Sequence, residues 1–145
     1  MTDEGIYESV KSESPLHAAI EVTLKGKELA LPNGLEFKDK DGATRTNIRI
    51  KWWEDPAHTT YKKISVESLE HLPDTPIDTT QMTHQNYYPT DAKPVFFGHY
   101  WLKGQPLIYR DNICCLDYSV AKGGHLVAYR LDGEKTLDNG KLVYV

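Results

Sequence analysis

Three short apolar runs in the last third of the chain constrain its fold most: Val95-Phe-Phe97, Ile113 to Tyr118 and His125 to Leu131. Each has the length of a strand and is bounded by turn residues. Gly98-His99 closes the first run, Gly123-Gly124 makes a tight turn between the second and third, and Asp132-Gly133 closes the third. The pattern predicts antiparallel strands over 95–97, 113–118 and 125–131, with Lys141 to Val145 as a short terminal strand. It also places His99 where a buried strand opens into a loop. A rigid element positions the backbone there, while the imidazole can still reach a metal or a substrate.

Upstream the signals are more varied. Residues 1–13 are polar and charged and read as a flexible N-terminus. Ser14-Pro15 reads as a helix start, with Ser as N-cap and Pro at the first helical position. Leu16, Ala19, Ile20, Val22, Thr23 and Leu24 supply a mostly apolar face, and Gly26 stops the helix. At about two to three turns it needs tertiary partners to persist. Leu35-Glu-Phe-Lys38 and the turn Asp39-Lys-Asp-Gly42 predict a hairpin. Thr44 to Trp53 predicts a strand with Ile48, Ile50 and Trp52 inward and Asn47, Arg49 and Lys51 outward, ended by Asp55-Pro56. Tyr61 to Val66 reads as another strand, and residues 67–93 as a long surface excursion. The fold class expected is α+β, mostly antiparallel β with one N-terminal helix, as a single domain over 14–145.

The totals exclude some function classes. A chain of 145 residues fits one domain and buries a core without staples. The net charge of −4 and the lack of a long basic run argue against nucleic-acid binding. No apolar run reaches membrane-spanning length, and the acidic start MTDEGIYESV is unlike a secretory signal. A soluble cytoplasmic protein is the expectation, with neither nucleic acid nor membrane as partner. Cys114 and Cys115 are adjacent, so they point to opposite faces of a strand and do not bridge. They read as small buried apolar residues of a reducing compartment.

The ordered set F-G-H-Y-W, C-L-D-Y-S and G-G-H-L-V-A-Y-R-L-D-G-E resembles the C-terminal part of calcineurin-like metallophosphoesterases. The likeness is to the symmetrical diadenosine-tetraphosphatase and serine/threonine phosphatase-like branch. It is carried by residues 94–134. L-K-G-K-E-L-A-L-P-N-G, the D-K-D-G turn and R-I-K-W-W extend it to roughly 16–145. The resemblance implies half of a β-sandwich flanked by helices. It implies a full enzyme that hydrolyses phosphate esters or anhydrides with two divalent metals (Mn, Fe or Zn) and a metal-bound hydroxide. By the match to Gly-His, His99 is implied as a ligand of one metal. The family's N-terminal motifs, D-x-H, G-D-x-x-D-R-G and G-N-H-D/E, do not occur in this sequence. They supply the bridging Asp, most other ligands and the catalytic His. One imidazole does not hold a two-metal site. The resemblance therefore implies a C-terminal portion that is inactive and metal-free alone, with no catalytic residue of its own. Its partner would be the missing N-terminal half. The alternative is a non-catalytic interaction or oligomerisation module that pairs with itself, because losing half of a two-sheet fold bares apolar surface.

Read without the resemblance, His99 is more readily a strand-end His bonded to a nearby carbonyl than a metal ligand, since a metal needs several ligands. His125 reads as structural or solvent-facing. His58, His71 and His84 lie in loop-like sequence without ligand spacing, and His17 sits on the first helical turn. For Asp117 the resemblance implies a structural hydrogen-bonding residue that supports the loop after it, rather than a catalytic one. Arg45 and Arg49 read as a solvated strand face rather than a phosphate clamp. Tyr100 and Trp101 read as core or interface rather than a nucleobase platform.

Overall fold

The computed structural model describes residues 2–39, 42–67, 69–82 and 87–145. The chain is α+β, with few helices and several small sheets. It divides into two compact units, Met1–Tyr87 and Tyr88–Val145, within the span read from sequence as one domain.

In the first unit, the stretch expected to be flexible contains helix α1, Asp3–Ser9. Thr2 caps it by accepting from the Gly5 amide, and Asp3 and Glu4 complement the positive end of the helix dipole. Helix α2, Pro15–Lys25, matches the sequence expectation at both ends. The Ser14 hydroxyl accepts from the His17 amide at 3.0 Å, and the Gly26 amide donates to the Val22 carbonyl. Ser14 Oγ also donates to the Glu8 carbonyl at 2.6 Å, so one side chain ends the first helix and starts the second. Neither helix buries a residue, and Leu16 and Leu24 on the expected apolar face remain exposed.

Strand β1, Glu28–Ala30, pairs antiparallel with the strand Asn47–Arg49, placing Leu29 opposite Ile48. Between them lies the expected hairpin, β2 (Phe37–Lys38) with β3 (Thr44–Arg45), and Asn47–Arg49 follows as β4. The Gly42 amide donates to the Asp39 carbonyl at 2.9 Å with a φ of 81°, which is the reason for glycine there. The intervening Lys40 and Asp41 of the expected turn lie outside the described residues.

Two sequence expectations change in this unit. The strand read over 44–53 stops at Arg49, and Trp53 rather than Trp52 is the more buried indole. Residues 61–66, expected as a strand, begin with helix α3, Tyr61–Ile64. The Thr60 side chain accepts from the Lys63 amide, and Tyr61 and Ile64, three apart, both enter the core. Helical spacing and a cap outweigh the strand preference of Ile and Val. The 67–93 excursion is not wholly on the surface. Leu72 and Ile77 pack with Leu29, Phe37, Ile48 and Ile64 in one apolar cluster.

In the second unit, β5 (Val95–Phe97), β6 (Ile108–Arg110) and β7 (Ile113–Cys115) form a sheet of order β5-β7-β6. Strands β8 (Asp117–Tyr118), β9 (His125–Tyr129) and β10 (Leu142–Tyr144) form a second, antiparallel sheet of order β10-β9-β8. The expected single strand over 113–118 is therefore split between two sheets. The strands expected to be antiparallel do not all pair that way: β5 and β7 are parallel, Val95 opposite Ile113 and Phe97 opposite Cys115. The cause is β6, which the sequence reading missed. It reverses the chain between the two and pairs antiparallel with β7.

Buried Asn112 anchors this arrangement. Its amide donates to the Pro89 carbonyl at 2.8 Å and the Ala92 carbonyl at 3.1 Å, while its Oδ1 accepts from Arg110 Nε. Cys114 and Cys115 are free and fully buried, as the sequence predicts.

Candidate functional site

The site is built from the end of β5 outward. After Phe97 the chain passes Gly98 and enters a loop in which His99 has φ 69° and Trp101 φ 50°. Both are left-handed, a conformation that costs a non-glycine residue about 1–2 kcal/mol. Tyr100 between them explains the shape. It is buried, and its ring meets Phe97 edge-on at 5.0 Å and 81°. Turning Tyr100 inward leaves its two neighbours outward, so His99 and Trp101 are exposed. The Trp101 indole lies under Lys122 Nζ, 4.2 Å from the ring centroid.

The loop is sewn to β8. The Leu116 amide donates to the Phe97 carbonyl at 2.9 Å, and the Leu102 amide donates to the Asp117 carbonyl at 3.1 Å. The Asp117 carboxylate accepts from the Trp101 amide through Oδ2 and from the Ser119 amide through Oδ1, both at 3.2 Å. Ser119 Oγ closes the circuit by donating to the Leu102 carbonyl. Ser119 is itself left-handed, with φ 58°. Asp117 thus has a structural hydrogen-bonding role, as the resemblance implied.

The Gly123-Gly124 turn supports the same corner. A Cβ on Gly124 would sit 1.9 Å from the Tyr118 carbonyl oxygen, so no side chain fits there.

The other imidazoles fall elsewhere. His125 is half-buried, its ring edge-on to Tyr144 at 5.0 Å. His58 Nδ1 lies 2.8 Å from Asp55 Oδ2, His17 Nδ1 bonds the Ser9 carbonyl at 2.8 Å, and His71 packs near Phe37. His84 lies outside the described residues. Arg45 pairs with Asp39 at 2.8 Å, and Arg49 stands opposite Glu28 in the β1–β4 ladder.

Among the described residues, no group of three or more His, Cys, Asp or Glu side chains is placed to hold a metal ion. A single imidazole, His99, does not by itself hold a two-metal centre. The thiols offer no nucleophile either. Burial pushes Cys114 up to about 11 and Cys115 up to about 12, so both stay protonated at neutral pH.

Sequence reasoning missed Asn112 just before β7, and Ser119 and Lys122 at this corner. An Asn in a two-residue turn between apolar runs was the available signal for the first. The other two carry none, because their roles depend on β8 lying beside the 98–102 loop.

Comparison with known proteins finds no matching family model, no matching curated protein and no matching solved structure. No described helix is long and apolar enough to cross a membrane.

Proposed function

We propose that this chain is the C-terminal portion of a metal-dependent phosphoesterase. In this reading it contributes His99 as one ligand to a centre whose other ligands come from sequence outside these 145 residues. One observation supports the reading above the rest. The chain holds an exposed imidazole in a left-handed backbone at the end of a parallel-paired strand. Strained backbone clusters at functional positions, and an exposed imidazole held in it supports a role for that side chain. The sequence likeness over 94–134 says what that is: metal ligation for hydrolysis of a phosphate ester or anhydride.

Alone, the chain is inactive in this proposal. Calorimetric titration with Mn²⁺ should show no tight site, and p-nitrophenyl phosphate should not turn over. Joining a segment that carries D-x-H, G-D-x-x-D-R-G and G-N-H-D/E ahead of this chain should give Mn²⁺-dependent turnover that His99→Ala abolishes. Turnover indifferent to His99→Ala would sink the assignment. Tight Mn²⁺ binding with turnover by the chain alone would show that unidentified ligands complete the site.

A second reading, an oligomerisation module, is favoured by one face of the β8–β9–β10 sheet. Leu126 (60% exposed), Val143 (59%) and Val145 (87%) lie on it beside Ala128. A solvated cluster of aliphatics on a sheet face favours self-association. Sedimentation should then show a dimer that Val143→Lys dissociates. A monomer at all concentrations would exclude this reading.

A further inference from the structure

We infer that Asp117 is a positioning residue for His99, acting through the backbone of Trp101. This rests on the proposed role of His99, for which it supplies the device that sets the imidazole in place.

The loop 98–102 has a shape its own residues disfavour. Two exposed non-glycine residues, His99 and Trp101, are left-handed, and the buried Tyr100 between them fixes only the direction of the turn. Without a restraint, Trp101 gains by relaxing to a negative φ, and the peptide planes on either side rotate with it. His99 lies two residues away, so its side chain would leave its present direction.

The restraint is the half-buried carboxylate of Asp117. Oδ2 accepts from the Trp101 amide at 3.2 Å, which ties the strained residue itself. Oδ1 accepts from the Ser119 amide at 3.2 Å and holds a second left-handed residue. The Asp117 carbonyl accepts from the Leu102 amide, so the same residue grips the loop one position further on. On the other side of His99, the Asp117 Cβ lies 3.6 Å from where a Cβ on Gly98 would stand. Asp117 therefore flanks His99 from both directions along the chain. A hydrogen bond to an ionised acceptor is comparable in strength to the strain of one left-handed residue. That bond therefore offsets much of the strain at Trp101 and biases its backbone toward the left-handed state.

Asp117 also sits in a rigid frame. It pairs with Leu126 in the β8–β9 ladder and follows the fully buried Ile113, Cys114 and Cys115. The carboxylate is thereby placed by the core, and it transfers that placement to an exposed loop. Ligand positioning by an outer residue follows the same logic as the hydrogen-bond partners that orient metal-bound imidazoles, except that here the partner acts on the backbone.

The test is NMR on the isotopically labelled full chain, comparing wild type with D117A, D117N and the double variant W101G/D117A. In D117A the Trp101 amide should exchange about tenfold faster or more, the change expected from losing a charge-assisted hydrogen bond. The His99 ring resonances should shift, while the Cys114 and Cys115 amides keep their protection. In W101G/D117A the His99 resonances should return toward wild type, because glycine takes φ 50° without strain. That rescue is what a general loss of stability would not produce. D117N keeps one acceptor oxygen, so it should release one of the two amides and retain the fold. It carries the test if D117A unfolds. Unchanged Trp101 exchange and unchanged His99 resonances in the folded variants would overturn the proposal. A His99 that is placed by Asp117 but dispensable for turnover in the joined protein would remove the metal assignment and leave the clamp.

Discussion

The first unit gathers large apolar side chains from distant points of the chain into one cluster, whereas the second packs its large apolar side chains beside two thiols and a fully hydrogen-bonded asparagine. Leu29, Phe37, Ile48, Tyr61, Ile64 and Leu72 fill the first core. The second buries Tyr100, Ile113, Tyr118, Val127 and Leu137 with Cys114, Cys115 and Asn112. The second unit also carries three of the four left-handed non-glycine residues described, His99, Trp101 and Ser119, against Asn33 alone in the first. An apolar cluster tolerates small shifts and imposes little on the loops around it. A core knotted by directional hydrogen bonds fixes backbone positions more tightly, and it can hold strained loops in place.

The largest effect should come from the first core. Ile64 is fully buried, so Ile64→Ala should cost about 2–5 kcal/mol in chemical denaturation. Amide exchange should rise most at Ile48 and Ile50. An equal rise at Cys114 and Cys115 would break the division into two units.

Asn112→Ala should cost about 2–3 kcal/mol, because it strips the Pro89 and Ala92 carbonyls of their buried donor. A near-neutral result would show that the second unit does not depend on its polar knot. Ser14→Ala should cost about 1 kcal/mol, read as lost helicity by circular dichroism and faster exchange at His17. It sharpens the contrast, since α2 buries nothing and depends on its cap more than a packed helix does.

The smallest effect should appear in acid. The Tyr129 hydroxyl and then the Lys141 ammonium hold Glu134 down to about 2, against an ordinary value of 4.5. A carboxylate with a lowered folded pKa adds stability above its unfolded value, and this is lost as pH falls through the folded one. Melting temperature should therefore decline between pH 4.5 and about 2, and Glu134→Gln should flatten that decline. The groups are at the surface, so solvent screening keeps the effect small.

Much of the second unit was legible before its structure. Each run read over 95–97, 113–118 and 125–131 contains a strand, the second broken at Leu116 and the third ending at Tyr129, and the Gly123-Gly124 turn and the buried cysteines also follow from local patterns. The β5–β7 parallel pairing was not legible, because it depends on β6, whose Ile108-Tyr-Arg110 lacks a clear alternation. In the first unit the Ser14-Pro15 start and Gly26 stop were readable because caps act within four residues. The helix over Tyr61–Ile64 was not, because its β-branched residues favour a strand until Tyr61 and Ile64 find a common core. The candidate site divides in the same way. The place of His99 after Gly98, at the end of a strand, was readable, but neither its left-handed backbone nor the two amides on Asp117 could be read from order alone.

By itself the sequence determined the caps, the tight glycine turns, the strand-length apolar runs and the thiols that do not bridge. These depend on neighbours a few bonds apart, where steric and hydrogen-bonding preferences are local. Tertiary structure alone decided the sheet partners, the split at Leu116, the polar knot at Asn112 and the clamp from Asp117 onto Trp101. Each joins residues ten or more positions apart or turns on which strand lies beside which. Such choices are made by total burial and by satisfying every buried polar group at once, and no short stretch of sequence carries that sum.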